Sequence, residues 1–232
     1  KEVRPYGYCK FGSGSLKNKK NTNNMNVAAP RAENFKTWHI MAAIGVLFIL
    51  AVLYDAVFGK NKPSQKGIIS HYRHLSSCTD LPIILYNVPG RTSSNLSPDS
   101  TLELANDCEN IVAIKEASGD LEQIMTIIQN KPSDFLVISG DDALTLPHIA
   151  IGGHGAISVV ANAFPKRFSI MVNAALKGDL EFANKKHYEL FPVIKHLFAD
   201  GNPGGIKHAL KLLNIGEDVV RLPLVNVNKD TA

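Results

Sequence analysis

Cysteine is scarce in this chain: Cys9, Cys78 and Cys108 are the three in 232 residues, and no two of them form a CxxC pair. That scarcity excludes a zinc site built on paired thiolates and a disulfide framework, and it points to a reducing compartment, the cytoplasm. The eight histidines do not fill the gap. His71 and His74 fall three apart on an expected helix, but no third ligand stands nearby, so they read as a solvated face rather than a metal site. Phosphate-binding loops are missing as well. No GxGxxG or Walker spacing occurs, and Gly152-Gly153-His154-Gly155 leads into an expected strand, not a helix.

A strong charge of one sign is also lacking, with 25 Lys and Arg against 21 Asp and Glu, a formal net charge of +4. The excess is local. Residues 1–38 carry eight basic side chains against Glu2 and Glu33, a net +6, which leaves the remainder at −2. Those basic residues are scattered through a Gly/Ser/Asn/Lys-rich stretch with few apolar positions. This is the composition of a disordered or linker-like tail, and no nucleic-acid partner is expected from it.

Long apolar runs are limited to one, from Ile40 to Tyr54, resuming briefly after Asp55 as Ala56-Val57-Phe58. A membrane-spanning helix wants about 20 such residues. The segment 39–59 is therefore compatible with a membrane anchor, with a buried barrel strand or with a packed helix. It lies too far along the chain, with no small-residue cleavage pattern, to read as a secretory signal.

What is present begins at Pro63. Short apolar runs alternate with amphipathic segments, the pattern of repeated βα units. Helices are expected at 68–77, 97–106, 120–130 and 143–151, and strands at 82–86, 111–114, 135–138 and 155–159. Beyond residue 165 the strands cease and helices follow at 165–176, 180–198 and 204–213. Continuous apolar strands separated by helices imply a parallel sheet covered on its outer face. The expected class is α/β, a partial barrel over residues 60–164 followed by a helical region over 165–232. Four βα units cannot close an eight-stranded barrel, and the run at 39–59 adds at most one more strand.

Functional groups of parallel α/β barrels gather at the carboxyl ends of the strands. Those positions here hold Tyr86, Lys115, Gly140 with Asp141 and Asp142, and Ile157. A lysine closing an apolar strand suits attack on a carbonyl, because desolvation favours the neutral amine. The alternative reading is a lysine paired with Glu116 or with a surface carboxylate at the strand end. Tyr86 fits a proton shuttle or a capping aromatic. Arg91, in the following loop, offers a fork for a carboxylate or a solvated surface charge. Asp141 and Asp142 read as helix N-terminal acids rather than metal ligands.

Taken together, Leu85-Tyr86-Asn87-Val88-Pro89-Gly90-Arg91-Thr92, Ile114-Lys115-Glu116-Ala117-Ser118-Gly119, Ser139-Gly140-Asp141-Asp142 and Gly152-Gly153-His154-Gly155-Ala156-Ile157-Ser158-Val159 resemble the dihydrodipicolinate synthase family in order and spacing. Asn61 to Gly67, Asn202-Pro203 and Arg221-Leu222-Pro223 extend the likeness over about residues 61–227. The resemblance implies a (β/α)8 TIM barrel with a C-terminal helical extension, a homotetramer, and condensation of pyruvate with L-aspartate 4-semialdehyde in the diaminopimelate route to lysine. It implies that Lys115 forms an imine with pyruvate, that Tyr86 relays protons, and that Arg91 receives the carboxylate of the semialdehyde. Gly140 and Ile157 would line the pyruvate pocket, and neither metal nor organic cofactor is implied. Related pyruvate-dependent aldolases such as N-acetylneuraminate lyase keep the Tyr and Lys, while Arg91 in its Pro-Gly-Arg-Thr setting favours the synthase. Two family features are missing. No Gly-Thr-Thr-Gly-Glu motif occurs, and where a Pro-Tyr-Tyr-Asn should precede Lys62 the chain reads Ala56-Val57-Phe58-Gly59-Lys60-Asn61, with Tyr54 several residues too early. The alternative to an active synthase is thus a truncated or fused barrel fragment that acts through association.

Overall fold

The computed structural model describes residues 62–232. The basic tail, the apolar run at 39–59 and Tyr54 lie outside the described residues.

Helix α1 (Gln65–Ser77) begins three residues before the apolar pattern suggests, because Ser64 caps it, its Oγ accepting from Gly67 N at 3.2 Å. Strand β1 (Ile83–Asn87) runs into a single helical turn, α2 (Pro89–Thr92), which the Pro-Gly sequence had concealed as a loop. Ser97 caps α3 (Pro98–Asp107), with Pro98 at the first turn where its missing N–H costs nothing. Strand β2 (Ile111–Glu116) follows, then α4 (Leu121–Asn130), whose cap Asp120 accepts from Glu122 N and Gln123 N at 3.0 and 3.1 Å. Strand β3 (Leu136–Ser139) and α5 (Thr145–Ala150) complete the alternation. A 3-10 turn at Val160–Asn162 leads into the helices α6 (Pro165–Leu176), α7 (Leu180–Ala199) and α8 (Gly204–Leu212). The described residues are therefore a partial α/β unit with a C-terminal helical part, as the sequence pattern led us to expect.

The sheet is parallel in the order β1-β2-β3, with Tyr86 opposite Lys115, Asn87 opposite Glu116, and Lys115 opposite Ile138. Its two faces have different fates because side chains alternate along each strand. Leu85, Ile114 and Val137 are fully buried against Ile69, Leu104, Ile124 and Ile127 of the covering helices. On the other face Ile84, Tyr86 and Leu136 remain 47, 45 and 41% exposed. A second core joins α5 to the C-terminal helices through Leu146, Phe168, Met171, Leu190, Ile194 and Ile206.

The fourth expected strand is a correction. Residues 155–159 make one bridge, Ala156 to Ser139, with Ser139 N donating to Gly155 O and Ile157 N to Ser139 O, both at 2.9 Å. The cause is Asp142, whose carboxylate accepts from Val159 N and Val160 N at 2.9–3.2 Å. Those two N–H groups are thereby withdrawn from any ladder, and the chain turns into the 3-10 segment.

Candidate active site

The register of β1 and β2 sets Tyr86 and Lys115 side by side near the carboxyl end of the sheet, on its exposed face. The Lys115 Nζ lies 4.2 Å from the centre of the Tyr86 ring. Lys115 is half-buried, so its desolvation is less than a closed apolar strand end suggests. Pairing with Glu116 does not occur, because alternation sends Glu116 through to the opposite, buried face. Among the described residues Lys115 forms no ion pair.

Gly140, just past β3, makes the room that Lys115 uses. A methyl group there would stand 2.8 Å from Ala117 Cβ and 3.0–3.1 Å from the Cε and Cγ of Lys115. Arg91 is carried on the short α2 and donates from Nη2 to Asn202 O at 3.5 Å, a long contact that leaves most of the guanidinium fork free of partners among the described residues. These residues share one cleft of about 690 Å³, whose walls also include Asp142 and, from α7, Lys195. The size is that of a small-molecule site.

Of the five expected site residues, Tyr86, Arg91, Lys115 and Gly140 line this cleft. Ile157 is not among its walls; it is 43% exposed, and its backbone N–H donates to Ser139 O. Lys195 escaped the sequence reading. Nothing in the amphipathic pattern of α7 distinguishes it from a surface lysine; the position emerges only when α7 packs across the mouth. A second cleft of about 610 Å³ lies at the amino-terminal ends of the strands, lined by Ser76, Asp80, Asp107, Cys108, Glu109 and Asn110, away from Lys115 and Tyr86.

Asp141 and Asp142 divide their work. Asp141 accepts from Ala143 N and Leu144 N at 2.9 and 3.2 Å, closing the turn ahead of α5, as expected of an acid near a helix start. Asp142 instead holds the 158–160 segment. Burial pushes its carboxyl above the ordinary range, opposed by the hydrogen bonds from Ser158, Val160 and Val159. Both acids are thus engaged by hydrogen bonds from the surrounding chain, while Lys115, Arg91 and Lys195 are the cleft's cations. The missing side chain of Gly153 admits the His148 ring, since a Cβ there would come within 2.0 Å of it. His148 sits buried with Nε2 3.3 Å from Val137 O, and burial holds its pKa below the ordinary value.

Comparison with known proteins covers the same residues. The model of the dihydrodipicolinate synthetase family matches residues 60–232. The 4-hydroxy-tetrahydrodipicolinate synthase of Flavobacterium psychrophilum is 51% identical over 170 residues, 73% of this chain and 58% of that protein. Its counterpart from Phocaeicola vulgatus is 52% identical over 165 residues, 71% of this chain and 56% of that protein. The crystal structure of dihydrodipicolinate synthase from Aquifex aeolicus superimposes with a TM-score of 0.72 at 40% identity, covering 74% of this chain and 58% of that one. The chain thus spans under three fifths of the length of the curated relatives it matches. With its motifs, its lysine cleft and three quarters of its residues inside one family match, this chain belongs to the dihydrodipicolinate synthetase family.

Proposed function

We propose that the described residues are the second half of a (β/α)8 barrel whose cleft forms an imine with pyruvate and condenses it with L-aspartate 4-semialdehyde, giving 4-hydroxy-tetrahydrodipicolinate for lysine synthesis in the cytoplasm. The observation that carries this reading is Lys115 Nζ standing 4.2 Å from the Tyr86 ring in a cleft shared with Arg91 and Gly140. The homotetramer of the family is part of the same proposal.

The chemistry follows from those groups. Lys115 Nζ adds to the keto carbon of pyruvate, and water leaves as the imine forms. The imine withdraws electrons from the adjacent methyl, which loses a proton and becomes an enamine carbon. That carbon attacks the aldehyde carbon of the semialdehyde, whose oxygen takes up a proton. The semialdehyde's own amine then attacks the imine carbon, closing the ring and expelling Lys115 as the free amine. The Tyr86 phenol serves as the proton carrier at the imine, and Arg91 receives the semialdehyde carboxylate. An aldolase acting on a sugar acid would share Lys115 and Tyr86; Arg91 in its Pro-Gly-Arg-Thr setting favours the dicarboxylate-forming reaction.

Trapping tests this directly. With pyruvate and borohydride, intact mass should show one irreversible adduct, lost in Lys115→Ala. A chain with a native circular dichroism spectrum that forms no adduct sinks the imine.

A second reading has its own support. The exposed sheet face bearing Ile84, Tyr86 and Leu136, together with the missing Gly-Thr-Thr-Gly-Glu motif, favours a barrel fragment that gains full activity only when an amino-terminal half covers that face.

A further inference from the structure

The reaction above uses the open face of the sheet, while a closed polar cluster occupies the buried face directly behind it. Asn87 and Glu116, neighbours in register, are both buried to within 2% of full enclosure. Asn87 Nδ2 donates to Glu116 Oε1 and Oε2 at 3.2 and 3.0 Å. Ser118 N donates to Oε1 at 2.7 Å, and Gln123 Nε2, from α4, to Oε2 at 3.1 Å. Asn95 closes the ring, accepting from Asn87 Nδ2 and donating to Gln123 Oε1, both at 2.8 Å. The Asn87 Oδ1 in turn accepts from Leu96 N at 3.0 Å.

A carboxylate placed among apolar helices, with no cation beside it among the described residues, is an expensive way to fill space. Leucine or methionine would pack there at lower cost. What a hydrogen-bonded pair adds is direction and register, since an apolar contact can slide by a fraction of a residue and this one cannot. Register is the vulnerable quantity in this sheet. The β1–β2 pairing shifts between Ile83 and Ile84, so the ladder is irregular at its amino end. A slip of one residue would send Tyr86 and Lys115 to opposite faces. Each member of the pair is one residue from a reacting side chain: Asn87 follows Tyr86, and Glu116 follows Lys115.

We propose that Glu116 and Asn87 are positioning residues: their buried hydrogen bonds index β1 against β2 and thereby fix the lateral placement of the Tyr86 phenol ring and the Lys115 amine on the opposite face. The proposal rests on the imine reading for its functional meaning, and its test separates the two.

In Glu116→Gln the new amide nitrogen meets the nitrogens of Asn87 or Gln123, donor against donor. Two quantities are measured on the full chain. One is the rate of borohydride trapping at Lys115 as a function of pyruvate. The other is the resonance of isotope-labelled methyl groups on reductively methylated Lys115, which the Tyr86 ring current displaces at the observed distance. E116Q should lower the maximal trapping rate by about tenfold or more, because small misplacements of a nucleophile cost orders of magnitude. The half-saturating pyruvate should move by less than about twofold, and the methyl resonance should shift toward its free position. The double variant N87D/E116Q restores a donor–acceptor pair with reversed polarity and should recover both readouts in part. Gln123→Met removes one donor without touching the strands; it should act in the same direction with smaller size, and it serves if E116Q fails to fold. Unchanged trapping and an unchanged resonance in the folded single variants overturn the proposal, as does a double variant that recovers thermal stability but neither readout. A chain that traps no pyruvate at all defeats the imine reading, while the resonance still decides the positioning.

Discussion

At position 140 a single hydrogen atom decides how much space the reactive amine has. Gly140→Ala would bring a methyl within 2.8 Å of Ala117 Cβ and about the same distance from two carbons of Lys115. Ala117 has no freedom to yield, so the lysine must move. We expect overpacking of about 1–3 kcal/mol, read as a lowered unfolding midpoint, and a fall in pyruvate trapping larger than that destabilisation explains. Equal trapping would mean the lysine adjusts freely. Lys115, Tyr86 and Gly140 stood out in the sequence because a basic, aromatic or absent side chain at the end of an apolar strand breaks the pattern around it, whereas Arg91, on α2, stood out only through its Pro-Gly-Arg-Thr setting. Glu116 and Asn87 were not. Alternation places each on the buried face, but which polar side chains meet there depends on the register of two strands and on α4, and neither is written in the local sequence. Lys195 was hidden for a related reason, since its role depends on where α7 packs.

Among the elements, two of the three side-chain caps ahead of the sheet's helices were readable, and Ser64, which starts α1, was not. Ser97 and Asp120 start α3 and α4 where the sequence places them. The segment 155–159 misled because its apolar alternation is that of a strand, while the side chain that ends it, Asp142, lies some seventeen residues earlier. Element α7 holds a different exception to the apolar rule. His187 is buried beside the Tyr188 and Phe191 rings, and its Nδ1 has no hydrogen-bond partner among the described residues. Burial lowers its pKa from 6.5, as it does for His148. The unfolded chain therefore binds a proton that the folded chain refuses, so the stability these rings contribute is present above 6.5 and is lost as pH falls through the lowered folded value. His187→Phe should raise stability at neutral pH by on the order of 1 kcal/mol, by removing an unpaired polar atom. It should also flatten the fall of the unfolding midpoint as pH drops below 6.5. An unchanged slope would assign the acid sensitivity elsewhere.

For the whole molecule, the α/β alternation followed by helices was legible because strands buried on one face and helices with one apolar stripe have different periods. The open inner face was less so. A strand with one exposed row and a strand enclosed in a barrel have the same apolar sequence, and only the described fold shows which rows stay uncovered. That face predicts behaviour in solution: the chain alone should bind a hydrophobic dye and self-associate with rising concentration. Mixing it with the amino-terminal half of the Flavobacterium psychrophilum relative should suppress both and raise pyruvate trapping. Dye binding that persists in the mixture, with trapping unchanged, would show that the face does not accept a half-barrel.

The strand order β1-β2-β3 repeats the order of the chain, so every ladder described here joins consecutive strands. A ring assembled in that manner can be parted by opening only two seams, and each half keeps all its internal pairings. The three strands therefore complete their ladders within one continuous stretch of chain, residues 83–139, and no pairing among them waits on a distant segment.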